Sequence, residues 1–266
     1  MQGARARGRA LAGSMVALAL VGCGGAGTSE APAPQGQGDI QAYCAAKKAF
    51  ETSPGPNVNF QSASPQEVAE EGKNYAAITL RPLFDNLIAT APAEVLDASK
   101  VLDSGVAELQ ETGDFFLFNA PKYGAAQRAA HIFDREHCGW AQVSVGATDY
   151  AYEDVPETVP AGTVSFDLTN RSETEIHEMA ILKKAEGATE PILELLEAAG
   201  GAIGQNTTLV AAGLAPPGDS AYEVVDVQPG NYALVCFVPV GATNEKPKGD
   251  GPPHYAKGMV AEFTVE

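Results

Sequence analysis

From Asp39 onwards the apolar positions follow two different rules. Up to about residue 139 they recur at intervals of three and four, the spacing of one helix face. Ser64-Pro65-Gln66-Glu67 is a capping-box signature with proline at the first helical position. Behind it, Tyr75, Ile78, Leu83, Leu87 and Ile88 keep helical spacing, and Pro82 is expected to kink or split the helix because it has no N–H to donate. Val95, Leu96, Val101, Leu102, Val106 and Leu109 form the stripe of a helix from Pro92 to about Thr112, with Gly113 at its end. Further helices are expected over Asp39 to Glu51 and Pro121 to Glu136, giving a bundle of about four.

After Gly139-Trp140 the helical period is lost. AQVSVGATDYAY, GTVSFDLTN, HEMAILKK, AYEVVDV, NYALVCFV and MVAEFTV are short runs rich in Val, Phe, Tyr and Thr, and they read as strands. Pro160-Ala161-Gly162, Asn170-Arg171-Ser172 and Pro229-Gly230-Asn231 supply turns between them. One short helix, Glu190 to Ala199, interrupts the strands and is stopped by Gly200-Gly201. Short strands at regular spacing predict a β-sandwich. The fold class is then a two-domain α + β chain, with a helical domain over 39–139 and a sandwich over 140–266.

The first 38 residues belong to neither domain. Arg5, Arg7 and Arg9 precede an apolar run from about Leu11 to Val21, which is too short to span a bilayer and reads as a secretory signal. Leu20-Val21-Gly22-Cys23 resembles a bacterial lipobox. The resemblance implies cleavage after residue 22 and acylation, palmitate included, of Cys23, which would anchor the protein to the outer face of the cytoplasmic membrane. Residues 23–38, GGAGTSEAPAPQGQG after the cysteine, form a flexible tether with nothing large enough to pack. The chain carries a formal charge of −17, and losing residues 1–22 removes three arginines and no acid. So acidic a surface repels nucleic acid, which is excluded as a partner.

With Cys23 acylated, three of the four cysteines remain. Cys44 and Cys138 bracket the helical region and are expected to close it with a disulfide. Cys236 is left as a spare thiol in an oxidising compartment, where a bound metal would account for its survival. His131 and His137 have no partners at ligand spacing and are expected on exposed helix faces.

The sandwich holds two histidines, His177 and His254, with Cys236 and Met259. Two imidazoles, a thiolate and a weak axial thioether are the donor set of a mononuclear blue-copper site. Tyr232-Ala233-Leu234-Val235-Cys236-Phe237-Val238-Pro239, followed by Pro253-His254-Tyr255-Ala256-Lys257-Gly258-Met259, resembles the cupredoxins, with an ending similar to rusticyanin and sulfocyanin. Val164 to Asn170, ahead of His177, resembles the strand leading to their first histidine ligand. The resemblance implies a cupredoxin-like Greek-key β-sandwich with one type 1 copper on His177, Cys236, His254 and axial Met259.

It further implies an electron carrier rather than an enzyme, with a redox protein at the membrane as partner. Electrons would pass through an exposed edge of His254 beside Pro239, Pro253 and Tyr255. Met179 is the competing methionine, expected in the core. Two features depart from the small cupredoxins: the polar excursion Val240 to Pro252 between ligands, and Glu178 after the first histidine, where plastocyanin and azurin often have asparagine. Glu178 is expected to tune the site from outside the ligand set. Copper buffering or delivery, and a metal-free interaction module, are the alternative functions.

Overall fold

Asp39 caps the first helix by accepting the N–H of Gln41, and α1 runs over Ile40–Glu51. In the computed structural model, residues 39–58 and 63–266 are described. The signal, Cys23 and the tether expected over 1–38 lie outside the described residues. Ser64 and Glu67 form the expected capping box at the start of α2, Pro65–Tyr75. A π-helical turn, Ala76–Leu80, leads straight into α3, Arg81–Thr90. Pro82 cannot donate to the carbonyl of Ile78, so the α pattern is interrupted here while the helical path continues. α4 is Ala93–Thr112 and ends on Gly113, whose φ of 75° is left-handed. After a 3-10 turn comes α5, Pro121–His137.

Cys44 of α1 and Cys138 after α5 are disulfide-bonded across a sequence separation of 94. Closing a loop of that length is worth roughly 4–5 kcal/mol in the chain-entropy model. Tyr43, Leu80, Phe84, Leu87, Leu102, Val106 and Phe133 fill the core of the helical region.

The strands are β1 (Ala141–Thr148), β2 (Ala151–Glu153), β3 (Thr158–Val159), β4 (Gly162–Asn170) and β5 (His177–Lys184), then α6 (Ile192–Ala198). β6 (Thr207–Ala215), β7 (Ser220–Val227), β8 (Gly230–Val235) and β9 (Val260–Val265) follow. They form one sheet in the order β2-β1-β4-β7 and a second in the order β3-β9-β8-β5-β6. β1 runs parallel to β4, and the chain changes sheet at β2/β3, β3/β4, β4/β5, β6/β7 and β7/β8. Val143, Val164, Phe166, Leu168, Met179, Ile181, Leu234 and Phe263 pack between the sheets. α6 packs on the outside of the second sheet through Ile192 and Leu196 against Leu182, Ala233 and Val235.

The described residues belong to one compact unit. The outer face of the first sheet carries the helical region, which is why Ser165 and Asp167 of β4 are buried although they point away from the sandwich core. His131 is likewise buried, not exposed as its helical spacing suggested: it stacks on Tyr222 with ring centroids 4.0 Å apart and lies 2.5 Å from Asp167. His137 is exposed, as expected, and stacks on Phe133. Arg135 pairs with Asp167, Arg128 with Asp219 at 2.6 Å, and Lys48 with Asp226 at 2.8 Å. A cavity of about 350 Å³ lies at this junction, and Lys47, Phe50, His131 and Glu223 are among its walls. The carboxyl of Glu223 fits there because residue 213 is glycine: a Cβ on Gly213 would sit 2.9 Å from Glu223 Oε1.

Candidate metal centre

Each donor sits at the end of an element, so its position is set by backbone pairing. His177 is the first residue of β5, and Cys236 follows directly after β8 rather than closing it. His254 opens a 3-10 turn, His254–Lys257, and Gly258 (φ 103°) lets the chain reverse into β9 just after Met259. β5 and β8 are hydrogen-bonded neighbours, with Ala180 opposite Val235. Their ends therefore bring His177 and Cys236 together.

The two ligand segments are stitched directly. Cys236 N–H donates to Met259 O at 3.2 Å, Tyr255 N–H to Cys236 O at 2.9 Å, and His254 N–H to Val238 O at 2.8 Å. Beyond them, a bridge pairs Pro239 with Pro253, and Val240 N–H donates to Pro252 O at 2.9 Å. The polar excursion is thus pinched off at its base, and its length leaves the donors undisturbed. Its first turn is tied back as well, since Gly241 N–H donates to both carboxylate oxygens of Glu175 at 3.0 Å.

His177 Nδ1 and His254 Nδ1 are 3.1 Å apart, and Cys236 Sγ is 3.3 Å from His254 Nδ1. All three residues, and Met259, have 0% relative exposure. Among the described residues this is the one group of three or more potential His, Cys or carboxylate ligands gathered within 4.8 Å. Met179 is buried between the sheets.

The electrostatics are those of a site built for a cation. Burial, with the neighbouring His254 imidazole, pulls His177 down to about 4, so it is neutral near pH 7. Burial lowers His254 too, against the pull of Glu175. Burial pushes the Cys236 thiol up to about 12, although backbone N–H groups of Glu178 and Val238 stabilise its thiolate. A buried thiolate aimed at two lone pairs needs a positive charge between them, and a soft thiophilic metal ion supplies it. The residues fit copper by donor type, by convergence and by closure from water.

Around this set stand groups the sequence pattern did not single out. Asp149 Oδ1 lies 3.7 Å from His177 Nε2, and Glu175 Oε2 lies 3.3 Å from His254 Nε2. Each imidazole therefore faces the site with Nδ1 and has a carboxylate near Nε2, though neither Nε2 makes a hydrogen bond. Tyr150 closes edge-on over His254, with ring centroids 5.0 Å apart. The expected exposed edge of His254 is absent: Tyr150 and Glu175 cover it. Glu178 N–H points at Cys236 Sγ from 3.3 Å, its carboxylate accepts Phe237 N–H at 3.0 Å, and Tyr152 OH donates to its carbonyl. The only signal in the sequence for Glu175 is its place two residues before His177. Asp149 and Tyr150 carry none.

Two sheets with β1 parallel to β4, closed at one end by a histidine from β5 and a Cys–His–Met segment between β8 and β9, make residues 141–266 a cupredoxin-like sandwich. Among solved structures, this half of the chain is similar to the reduced auracyanin of Roseiflexus castenholzii: 26% identity, 47% of this chain and 97% of that one, TM-score 0.33. Auracyanin A of Chloroflexus aurantiacus, described as a "blue" copper protein, is 18% identical over 48% of this chain and 100% of its own, with a TM-score of 0.32. Rusticyanin from Thiobacillus ferrooxidans is 19% identical over 47% of this chain and 77% of its own, with a TM-score of 0.29. No protein-family model and no curated protein matches the chain.

Proposed function

We propose that the protein is an electron carrier with one type 1 copper, which His177 Nδ1, Cys236 Sγ and His254 Nδ1 would hold, with Met259 as the thioether donor. The convergence of two neutral imidazole nitrogens and one thiol sulfur in a fully buried pocket carries this reading. Bound copper supplies a one-electron couple, and the chain does the rest. The Glu178 N–H faces the sulfur, the carboxylates of Asp149 and Glu175 place negative charge beside the imidazoles, and the sandwich keeps water out. Strand pairing and the stitched ligand segments position the donors through backbone hydrogen bonds, which suits fast electron exchange. Complete burial also favours a resident ion over a cargo handed on, so buffering or delivery is the weaker reading.

The pattern Leu20 to Cys23 supports export and lipid anchoring at the outer face of the cytoplasmic membrane, through a tether over 24–38. In that setting the natural partner is another redox protein.

Adding Cu(II) to the purified protein tests the site: an intense visible thiolate-to-copper band should appear and should be absent in Cys236→Ser. A copper-loaded protein without the band, or a band that persists in Cys236→Ser, overturns the assignment. Rapid loss of the metal to a mild chelator, with no reversible redox couple, would favour delivery.

A further inference from the structure

The turn that leaves β1 supplies a group to each imidazole. Asp149 faces His177 Nε2, and Tyr150, the next residue, lies edge-on against His254 at an interplanar angle of 69°. Tyr150 has φ 66°, a left-handed conformation disfavoured for a side chain of its type, so its surroundings must hold it there. The Glu175 carboxylate is one of the holding groups: it lies 3.5 Å from the Tyr150 hydroxyl while also contacting His254 Nε2 and Gly241 N–H. On the solvent side the Asp149 side chain is 57% exposed, so this turn links the imidazoles' surroundings to the surface.

The surface around the turn has a definite charge. Glu153 and Asp154, at and just beyond the end of β2, have side chains 42% and 69% exposed and share one cation, Arg171. With Asp149, three carboxylates stand against a single guanidinium. The competing route beside Tyr255 is occupied by packing: its ring stacks edge-on with Phe237, and its hydroxyl donates to Gly201 O at 3.3 Å after α6.

We infer that the redox partner docks on the hairpin segment 149–154, that Tyr150 is the contact through which the electron passes between His254 and the partner, and that the partner's matching surface is cationic. This rests on the copper reading above. One electron moves from the reduced site to the oxidised partner; no bond forms or breaks and no proton is exchanged. Tyr150 acts as a bridge and is not itself oxidised.

The test follows oxidation of the reduced, copper-loaded protein by the cation tris(phenanthroline)cobalt(III), read at the visible band. Glu153→Gln with Asp154→Asn should slow the reaction by about threefold or more at low salt. Glu94→Gln with Asp97→Asn, the same charge change on α4, should alter it far less. Tyr150→Leu should slow it several-fold with the band intact, and Tyr255→Leu should leave it unchanged. Equal slowing by the two charge pairs, or slowing by Tyr255→Leu and not by Tyr150→Leu, overturns the proposal. A second reading needs no variant: hexaamminechromium(III) should broaden the amide NMR signals of residues 149–154, whereas broadening centred on Tyr255 would refute the docking face. If the wild type shows no thiolate band with copper, the copper reading has failed instead, and the chromium mapping still reports on the surface.

Discussion

The backbone N–H of Glu178 points at the sulfur of Cys236 from 3.3 Å, and the carboxylate of the same residue accepts the N–H of Phe237 at 3.0 Å. One residue thus grips the cysteine from both sides along the chain. Glu178→Ala leaves the Phe237 N–H without its partner, at a cost of about 1–3 kcal/mol. Glu178→Gln keeps a carbonyl oxygen for that N–H and should recover most of the loss. Thermal unfolding of the three proteins, with and without copper, measures it; equal stability of Glu178→Ala and wild type would show that the grip contributes nothing.

Met259 and Met179 are both fully buried, but only Met259 belongs to the segment stitched to Cys236 and His254. On the proposed copper site, replacing the Met259 thioether with an alkyl group would remove a weak donor, so Met259→Leu should raise the reduction potential and alter the electron paramagnetic resonance spectrum. Met179→Leu should leave both unchanged. The reverse pattern would transfer the axial role to Met179.

Glu223 should make stability fall as pH rises. Burial, with Glu51 nearby, pushes its carboxyl from 4.5 up to about 8. Between those two values the folded state keeps a proton that the unfolded chain releases. Stability therefore falls through that window and levels off above it. Glu223→Gln removes this dependence and should be more stable than wild type at pH 8.5 by roughly 1–3 kcal/mol, with little difference near pH 4. Urea unfolding at the two pH values decides it, and parallel curves for both proteins would sink the prediction.

Removing the Cys44–Cys138 bond should cost about 2–5 kcal/mol, because the unfolded chain regains the freedom that the closed loop denies it. The double variant Cys44→Ser, Cys138→Ser should still show the copper band, since none of the donors lies in the helical region. Denaturant unfolding gives the first quantity and visible absorption the second.

Much of this architecture is legible in the residue order. The helices fall where capping and spacing place them: Ser64 and Glu67 close their box, Gly113 ends α4, and Cys44 meets Cys138. β4 spans the predicted run GTVSFDLTN. The strand β6 does not stand out, because TTLVAAGLA has small residues and no clean alternation; its pairing with β5 makes it a strand. Asp167 points away from the sandwich core and is buried because α5 lies over it, bringing His131 and Arg135.

The sequence by itself determines the candidate donor types, their order and the two folding regimes, because local spacing dictates which face of a helix or strand is apolar. It also determines that a spare cysteine and both histidines of the sandwich fall at element ends. Only the tertiary structure decides how the site meets solvent. Asp149, Tyr150 and Glu175 reach the imidazoles because β1 and β4 lie side by side and release their turns at the same end as the ligands. Such contacts depend on strand pairing between distant segments, and no local pattern records them. For that reason His254, which reads as an exposed edge, is a covered one.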